Sequence, residues 1–281
     1  MPSVSPQPSS PTFSRNPAVV LDHVVIIVEE NKPATSILGN IDARFLNTLA
    51  TDSAVAMNYT AVAHPSLPNY LAMTSGSTAG ITDDCNPPGP SCQARVPSIT
   101  GELDASGHTW KMYAEGMPTP CAKLNSGNYA VKHNPFLYYP SVTKDPAYCA
   151  AHDVPFTQLS HDLASSSTLP DYAFISPDLC NDTHDCPVRT GDAWLSRVVP
   201  AILASAAFTS QNSLLVITWD EGSQSDNAVS TIFAGPAAKT GYRSEVDYNH
   251  YSLLHTIEEA WGLAPLTNND GGAPTMADLL R

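Results

Sequence analysis

Short apolar runs alternate along this chain with longer amphipathic segments. The run HVVIIV at 23–28 is continuously apolar, as expected for a parallel strand that is buried on both faces. Similar runs predict further strands at 109–114, 172–176, 214–219 and 230–235. Helical spacing predicts helices at 43–53, 250–263 and 191–205, the last bent at Pro200. The alternation predicts an α/β fold with a mostly parallel central sheet and helices on both of its faces.

Length and charge exclude several classes of protein. With 281 residues, 42% of them hydrophobic, the chain can bury the core of one α/β domain, which we expect over 21–281 behind a disordered lead at 1–20. The formal charge of −14 and the lack of Lys/Arg runs argue against nucleic-acid binding. We see no segment long and apolar enough to cross a membrane, and the sequence does not indicate an oligomeric state.

Six cysteines, together with few lysines and many Ser, Thr and Pro residues, favour a secreted, extracellular protein. Cys85 with Cys92 and Cys180 with Cys186 can each close a local loop, which leaves Cys121 for Cys149. This pairing is one of 15 connectivities that six cysteines allow. The absence of any C-x-x-C spacing disfavours structural zinc.

Polar residues follow three of the predicted strands, at the sheet edge where α/β proteins bind ligands. They are Glu30, Asn31, Asp178, Asp182, His184, Asp220 and Glu221. Carboxylate and amide oxygens suit hard divalent cations, and such acids are costly to bring together without one. We therefore predict one divalent metal ion, with Ca, Mg, Mn and Zn left open. Each short motif is also compatible with a simple polar turn.

The segment AVAHPSLPNYLAMTSG at 61–76 surrounds Ser66 with Pro65 and Pro68, which restrict the backbone on both sides of its hydroxyl. A helix that starts here places Ser66 at its positive end, where a phosphate group is favoured. A serine beside a metal can act as a nucleophile, and Asn69 can bind a phosphate oxygen. The competing interpretation is that Ser66 only caps the helix.

Five blocks in order resemble a known family: VVIIVEENKP, HPSLPNYLAMTSG, SPDLCNDTHD, ITWDEG and YNHYSLLHTIEEAWGL, spanning 24–263. They are similar to the bacterial and fungal phosphoesterases, which include acid phosphatase A-type enzymes and nonspecific phospholipases C. This family is a branch of the alkaline phosphatase superfamily. The block SLPNY also looks like the nucleophile block of nucleotide pyrophosphatases in that superfamily.

The resemblance implies roles for individual residues. It assigns one metal to Glu30, Asn31, Ser66, Asp220 and Glu221, and a phosphate contact to Asn69. Asp178, Asp182 and His184 align loosely with a segment that holds a second ion in two-metal relatives, and we expect them to face the site. Those relatives carry Asp-His where this chain has Asp220-Glu221, so we favour one metal. We assign phosphate contact or leaving-group protonation to His184, His133 and His250, although each histidine can equally be structural.

The combined evidence predicts a secreted, metal-dependent phosphoesterase that hydrolyses small phosphomonoesters through a phosphoserine intermediate. The alternative substrate is a phospholipid head group or other phosphodiester, as in the phospholipases C. A non-catalytic binding protein on the same scaffold is disfavoured, because the nucleophile and all the metal ligands that the resemblance assigns are present.

Overall fold

The structure, a computed structural model, describes residues 19–281. These residues are organised around one eight-stranded sheet. The strands are β1 (His23–Glu29), β2 (Ala54–Thr60), β3 (Trp110–Ala114), β4 (Asp153–Pro155), β5 (Tyr172–Ser176), β6 (Ser213–Trp219), β7 (Thr231–Ala234) and β8 (Arg243–Asn249). Their order across the sheet is β4-β3-β5-β1-β6-β7-β2-β8. Strand β7 runs antiparallel to both neighbours, whereas all other neighbouring pairs are parallel.

Helices surround this sheet. The α-helices are α1 (Arg44–Asp52), α2 (Ser66–Ser75), α3 (Ile99–Ser106), α4 (Pro140–Thr143), α5 (Pro146–His152), α6 (Leu159–Asp162), α7 (Val188–Leu203), α8 (Ala206–Ser210), α9 (His250–Trp261) and α10 (Asn268–Gly272). Short 3-10 helices occur at Ala34–Ser36, Val131–His133, Pro135–Tyr138, Phe156–Gln158 and Ala277–Leu279. The α/β class and the mostly parallel sheet are confirmed, and the placement of helices on both faces stays a prediction. So does the domain division, because most of the predicted lead lies outside the described residues.

All five predicted strands and all three predicted helices are present, each within three residues of its expected ends. Helix α7 continues through Pro200 to Leu203. Strands β2, β4 and β8 were not predicted. Strand β4 has only three residues, and β8 is an edge strand whose sequence RSEVDYN is mostly polar and exposed. Neither has an apolar run, because an edge strand needs little burial to pair with its one neighbour.

Strand β1 lies at the centre of the parallel part of the sheet, between β5 and β6. Its residues 24–28 have no exposed surface, which explains the continuously apolar run. Because the three strands are parallel and adjacent, the loops that follow them emerge side by side. This topology brings together the polar residues that the sequence places after each strand.

Three disulfides close loops around the sheet: Cys85–Cys92, Cys121–Cys149 and Cys180–Cys186. Of the 15 connectivities open at the sequence level, the structure has the one built from the two local pairs. No helix in the described part of the chain combines the length and apolarity that crossing a membrane requires.

Helix α2 is tied to the C-terminal region at Gly76. Gly76 has φ +66°, and its carbonyl accepts hydrogen bonds from Thr267 Oγ1 and Asn269 Nδ2, both at 2.9 Å. A Cβ at this position would collide with the Asp270 carboxylate and the Thr267 hydroxyl. Gly107 ends helix α3 with a similar φ of +81°, but a Cβ there would have no neighbour within 4 Å.

We expect Gly76→Ala to destabilise the protein clearly more than Gly107→Ala. Both substitutions cost about 1–2 kcal/mol for the left-handed backbone, but only the first forces Asp270 and Thr267 to move. The measurement is chemical unfolding of both variants and the parent. Equal destabilisation would show that the contact between α2 and the C-terminal region contributes nothing.

Candidate active site

Helix α2 holds Ser66 at its first turn. Pro65 is the N-cap residue in extended conformation, and Ser66 is 1% exposed. The Ser66 hydroxyl does not cap the helix; it donates to Glu30 Oε2 at 3.1 Å. Tyr70 lies one turn further along the same face and donates to Glu30 Oε1. Two hydroxyls four residues apart therefore bind both oxygens of one carboxylate.

Asn69 fastens the loop that leads into this helix. Its Oδ1 accepts from the backbone N–H groups of Val62 and Ala63, at 3.1 and 2.9 Å. Its Nδ2 donates to the carbonyls of Ala63 and Pro65, at 2.9 and 3.2 Å. The amide is thus fully engaged with the backbone before Ser66, and the phosphate contact assigned to it stays a prediction.

The acids after β1 and β6 meet beside Ser66. Asp220 is fully buried, and its Oδ1 accepts from the backbone N–H of Asn31 at 3.1 Å. Asn31 adopts a left-handed φ of +52°, which Asn tolerates better than most residues. The Oδ1 of Asn31 and the Oδ2 of Asp220 are both buried without a hydrogen-bond partner.

The loop after β5 supplies Asp182, which is 1% exposed. Its backbone carbonyl accepts from Glu30 N at 2.7 Å, and its Oδ1 accepts from His184 N at 2.7 Å. Asp178 orders this loop, because its Oδ1 accepts from the N–H groups of Cys180 and Asn181, both at 3.0 Å, and the prediction that it faces the site stays a prediction. Neighbouring Glu29 is buried with neither carboxyl oxygen hydrogen-bonded.

His133 lies between two of the acids. Its Nε2 is 3.3 Å from Glu30 Oε2, and its Nδ1 is 3.3 Å from Asp182 Oδ2. Its ring stacks on Tyr70 with centroids 5.5 Å apart. Glu30, His133 and Asp182 each offer a ligand atom within 4.8 Å of the others, the spacing of a metal site.

His184 is 5.8 Å from His133 between ring centroids, and its Nδ1 is 2.7 Å from Asp185 Oδ1.

Burial dominates the electrostatics of these groups. It raises the pKa of Asp182 to about 8 and that of Asp220 to about 7, and raises the pKa of Glu30 well above its usual range. Burial also lowers the pKa of His133 far below normal, so this imidazole is neutral. Neutral imidazole and crowded carboxyls with unpaired oxygens form a donor set that fits a divalent cation.

Glu221 lies at the rim of this cluster. It pairs with Nδ1 of His64, and burial raises its pKa to about 7, with a further contribution from Asp84. Asp84 in turn accepts from Leu67 N at 2.9 Å and pairs with Lys132 Nζ at 2.7 Å. Burial opposes the charge on Lys132, yet Asp84, Glu30 and Asp220 raise its pKa above normal. The structure thus places the positively charged Lys132 side chain near the acids that the sequence predicts.

His250 is fully buried, and both of its ring nitrogens are engaged. Nε2 is 2.6 Å from the Asp220 carbonyl, and Nδ1 is 3.1 Å from the Tyr59 hydroxyl. Burial lowers its pKa to about 4, so the ring is neutral and supports the strand end that carries Asp220. Substrate contact by His250 stays a prediction that these two bonds do not favour.

The structure also adds residues that sequence reasoning missed: His64, Tyr70, Asp84 and Lys132. His64 and Tyr70 lie within the block around Ser66, and Lys132 directly precedes His133. The nearness of these three residues to Ser66 and His133 in the sequence was the signal that could have indicated them. Asp84 had none, because it lies in an irregular loop.

The model of the phosphoesterase family matches residues 36–264. A phosphatidylinositol-3-phosphatase of Mycobacterium tuberculosis is 37% identical over 259 residues, which cover 92% of this chain and 82% of the relative. An acid phosphatase of Aspergillus fumigatus is 33% identical over 80% of this chain but only 52% of its own length. The chain therefore spans about half of that fungal relative.

Solved structures agree on the fold. A Vibrio parahaemolyticus protein of the alkaline phosphatase superfamily has a TM-score of 0.66 at 12% identity, covering 92% of this chain and 72% of its own. A murine ectonucleotide pyrophosphatase/phosphodiesterase 5 has a TM-score of 0.62 at 11% identity, covering 92% of this chain and 100% of that chain. At these identities the likeness concerns the fold alone.

We expect the chelated protein to lose stability as pH rises from about 5 to 8. The raised pKa values of Asp182 and Asp220 mean that the folded state holds protons that the unfolded state has released above about 4. The unfolding free energy therefore falls until pH passes 7 to 8. A divalent cation should reverse the loss, by about 2.7 kcal/mol at 100 times its dissociation constant.

The measurement is thermal unfolding across pH with and without Mg²⁺, Ca²⁺, Mn²⁺ or Zn²⁺. Asp220→Asn should weaken both the pH dependence and the stabilisation by the cation. Asp247→Asn makes the same change on exposed strand β8 and should alter neither. Equal stabilisation of Asp220→Asn and the parent would exclude a cation site at Asp220.

Proposed function

Because the chain belongs to the phosphoesterase family and is a phosphoric ester hydrolase, we propose that it hydrolyses phosphomonoesters, with Ser66 as the nucleophile. The observation that carries the proposal is the buried Ser66 hydroxyl at the start of α2, bonded to Glu30 at 3.1 Å. The mycobacterial phosphatidylinositol-3-phosphatase and the fungal acid phosphatases support this substrate class.

The residues that would hold a divalent cation are Glu30, Asn31, Ser66, Asp220 and Glu221, with His133 and Asp182 offering further ligands. When bound, such a cation supplies a counter-charge for the carboxylates and draws electrons from a phosphoryl oxygen. The unpartnered oxygens of Asn31 and Asp220 support this assignment.

The chain's own groups provide nucleophile, base and charge. The Ser66 proton faces Glu30, which can accept it as Ser66 oxygen bonds to phosphorus. The N-terminal end of α2 favours the phosphate dianion, and Lys132 adds a positive charge near Glu30 and Asp220. Asn69 keeps the loop before Ser66 rigid.

His184 is the proposed acid that protonates the leaving oxygen. Its Nδ1 contacts Asp185 at 2.7 Å, which leaves Nε2 free to carry the transferred proton. Its side chain is 27% exposed, more than that of His133, so it can reach a bound substrate and exchange protons with solvent. Hydrolysis of the phosphoserine then needs a water molecule, which the same imidazole can deprotonate.

We also propose that the protein is exported to an oxidising compartment. The three disulfides support this, because such bonds persist mainly outside the reducing cytosol.

The fungal acid phosphatases match over about half of their own length, so their whole activity is not carried over.

Ser66→Ala should lose turnover of p-nitrophenyl phosphate by about 10³-fold or more, because no other group on α2 replaces the attacking oxygen. Ser66→Thr keeps a hydroxyl and should retain part of the activity. Ser196→Ala, an exposed serine on α7, is the matched control and should be unaffected. Acid quench during turnover of a labelled substrate should leave phosphate on Ser66; label on another residue would refute the assignment.

The substrate class is tested in the same preparation. The monoester p-nitrophenyl phosphate should be hydrolysed well, and bis(p-nitrophenyl) phosphate and phosphatidylcholine poorly. A preference for either diester would instead support the phospholipase C alternative.

His184→Ala should slow alkyl phosphates more than aryl phosphates, by about 10²- to 10⁴-fold for the poorer leaving groups. A good leaving group departs without a proton, so its rate depends less on the acid. His161→Ala removes an exposed histidine as a control. Equal slowing of both substrate classes would point to phosphate positioning rather than proton transfer.

A further inference from the structure

The 3-10 turn Val131–His133 carries two groups of the site but lies outside the sheet. The Ser176 hydroxyl, at the end of β5, donates to the carbonyl of His133 at 2.6 Å. Asn134, which follows His133, donates its side-chain Nδ2 to both carboxyl oxygens of Asp153, at 2.8 and 3.0 Å. Strand β4 thereby holds the turn through one pair of side chains.

This pair is unusual in its hydrogen bonding. Asp153 and Asn134 have no exposed surface, and the Oδ1 of Asn134 has no hydrogen-bond partner. An ionised carboxylate has acceptors only, so it cannot satisfy that amide oxygen. A protonated carboxyl can, since one oxygen accepts from Nδ2 while the other donates to Oδ1. A small rotation of the two side chains gives this paired arrangement, and it removes a buried unsatisfied acceptor.

The surroundings favour the neutral carboxyl. Burial raises the pKa of Asp153 to about 7, and only the Asn134 hydrogen bond opposes the rise. No ion pair to Asp153 occurs within residues 19–281. The titratable group that faces it is the Tyr129 phenol, whose own pKa is raised by burial and by Asp153.

Other titratable groups on the packed elements are directed elsewhere. On strand β3, Lys111 and Tyr113 both contact Asp162. On helix α5, the His152 ring binds the Tyr148 carbonyl. The nearby cysteines, Cys121 and Cys149, are joined in a disulfide and do not titrate.

We propose that Asp153 is a positioning residue that carries a proton in the working enzyme and, paired with Asn134, keeps Lys132 near Glu30 and His133 between Glu30 and Asp182. The inference rests on the proposed function, because it takes the Val131–His133 turn to be part of the catalytic site. Asp153 does not touch substrate. It acts by keeping this single 3-10 turn, which is not part of a longer helix or a strand, in one position.

The first test compares variants at pH 5 with p-nitrophenyl phosphate. Asp153→Asn can form the same paired hydrogen bonds and should keep kcat within about threefold. Asp153→Leu leaves the Asn134 amide with only its 3.4 Å contact to the Tyr129 hydroxyl. It should lower kcat by about 10- to 100-fold with little change in KM, as misplacement of catalytic groups does. A folded Asp153→Leu protein with parental kcat would overturn the positioning role.

A double variant covers the case in which Asp153→Leu folds poorly. Asp153→Leu combined with Asn134→Leu removes both polar partners, so the unfolding free energy should recover relative to the single variant. The kcat should stay low, because the turn is still detached from β4. Recovery of kcat together with stability would show that the pair is only structural.

The second test needs no activity and so separates this inference from the proposed function. The folded pKa of Asp153 lies above its unfolded value near 4. The parent should therefore lose stability relative to Asp153→Asn as pH rises from about 4 to 7, with a slope of about one proton, and no further above 7. Infrared difference spectra at pH 5 should show a protonated carboxyl that Asp153→Asn lacks.

Identical pH profiles of unfolding, or no carboxyl band in the difference between the parent and Asp153→Asn at pH 5, would overturn the protonated state of Asp153. If Ser66→Ala were fully active, Ser66 would not be the nucleophile. The pH profile of unfolding and the infrared difference spectrum would still report whether Asp153 is protonated. If Ser66 is the nucleophile and the Asp153 variants behave alike, only the further inference fails.

Discussion

Three acids from separate segments are crowded into a buried site, and much of the surrounding structure serves to make this possible. Glu30, Asp182 and Asp220 are each at most 1% exposed. Burial of this kind favours the protonated carboxyl unless a cation or hydrogen-bond donors compensate. Backbone N–H groups, Tyr70 and Ser66 supply part of the compensation. The oxygens left over define where a divalent cation would bind.

The same requirement explains how firmly helix α2 is held. Its first turn is fastened by Asp84 and by the amide of Asn69, and Gly76, which follows its last residue, contacts the C-terminal region. The proposed nucleophile Ser66, fixed in this way, can meet phosphorus without a search through conformations. Positioning of that kind can supply about 7–11 kcal/mol of an activation barrier. The prolines around Ser66 belong to this system of restraints.

The Val131–His133 turn depends on different restraints. It lies in a long irregular stretch between β3 and α4, closed by the Cys121–Cys149 disulfide and anchored by Ser176 and Asp153. Such a stretch has no internal ladder of hydrogen bonds, so its geometry relies on a few side-chain contacts. A small change in one of them moves Lys132 and His133 together.

The sequence by itself determined the α/β class, the central strands and the three loops that deliver acids to one edge of the sheet. It could do so because a strand buried on both faces needs a continuous apolar run, and parallel neighbours end at the same edge. It also indicated Ser66, from the prolines beside it. Only the tertiary structure decided that β7 is antiparallel, that polar β8 joins the sheet, and that His64, Asp84 and Lys132 reach the site. These features depend on contacts between residues far apart in the chain, and no local periodicity records such contacts.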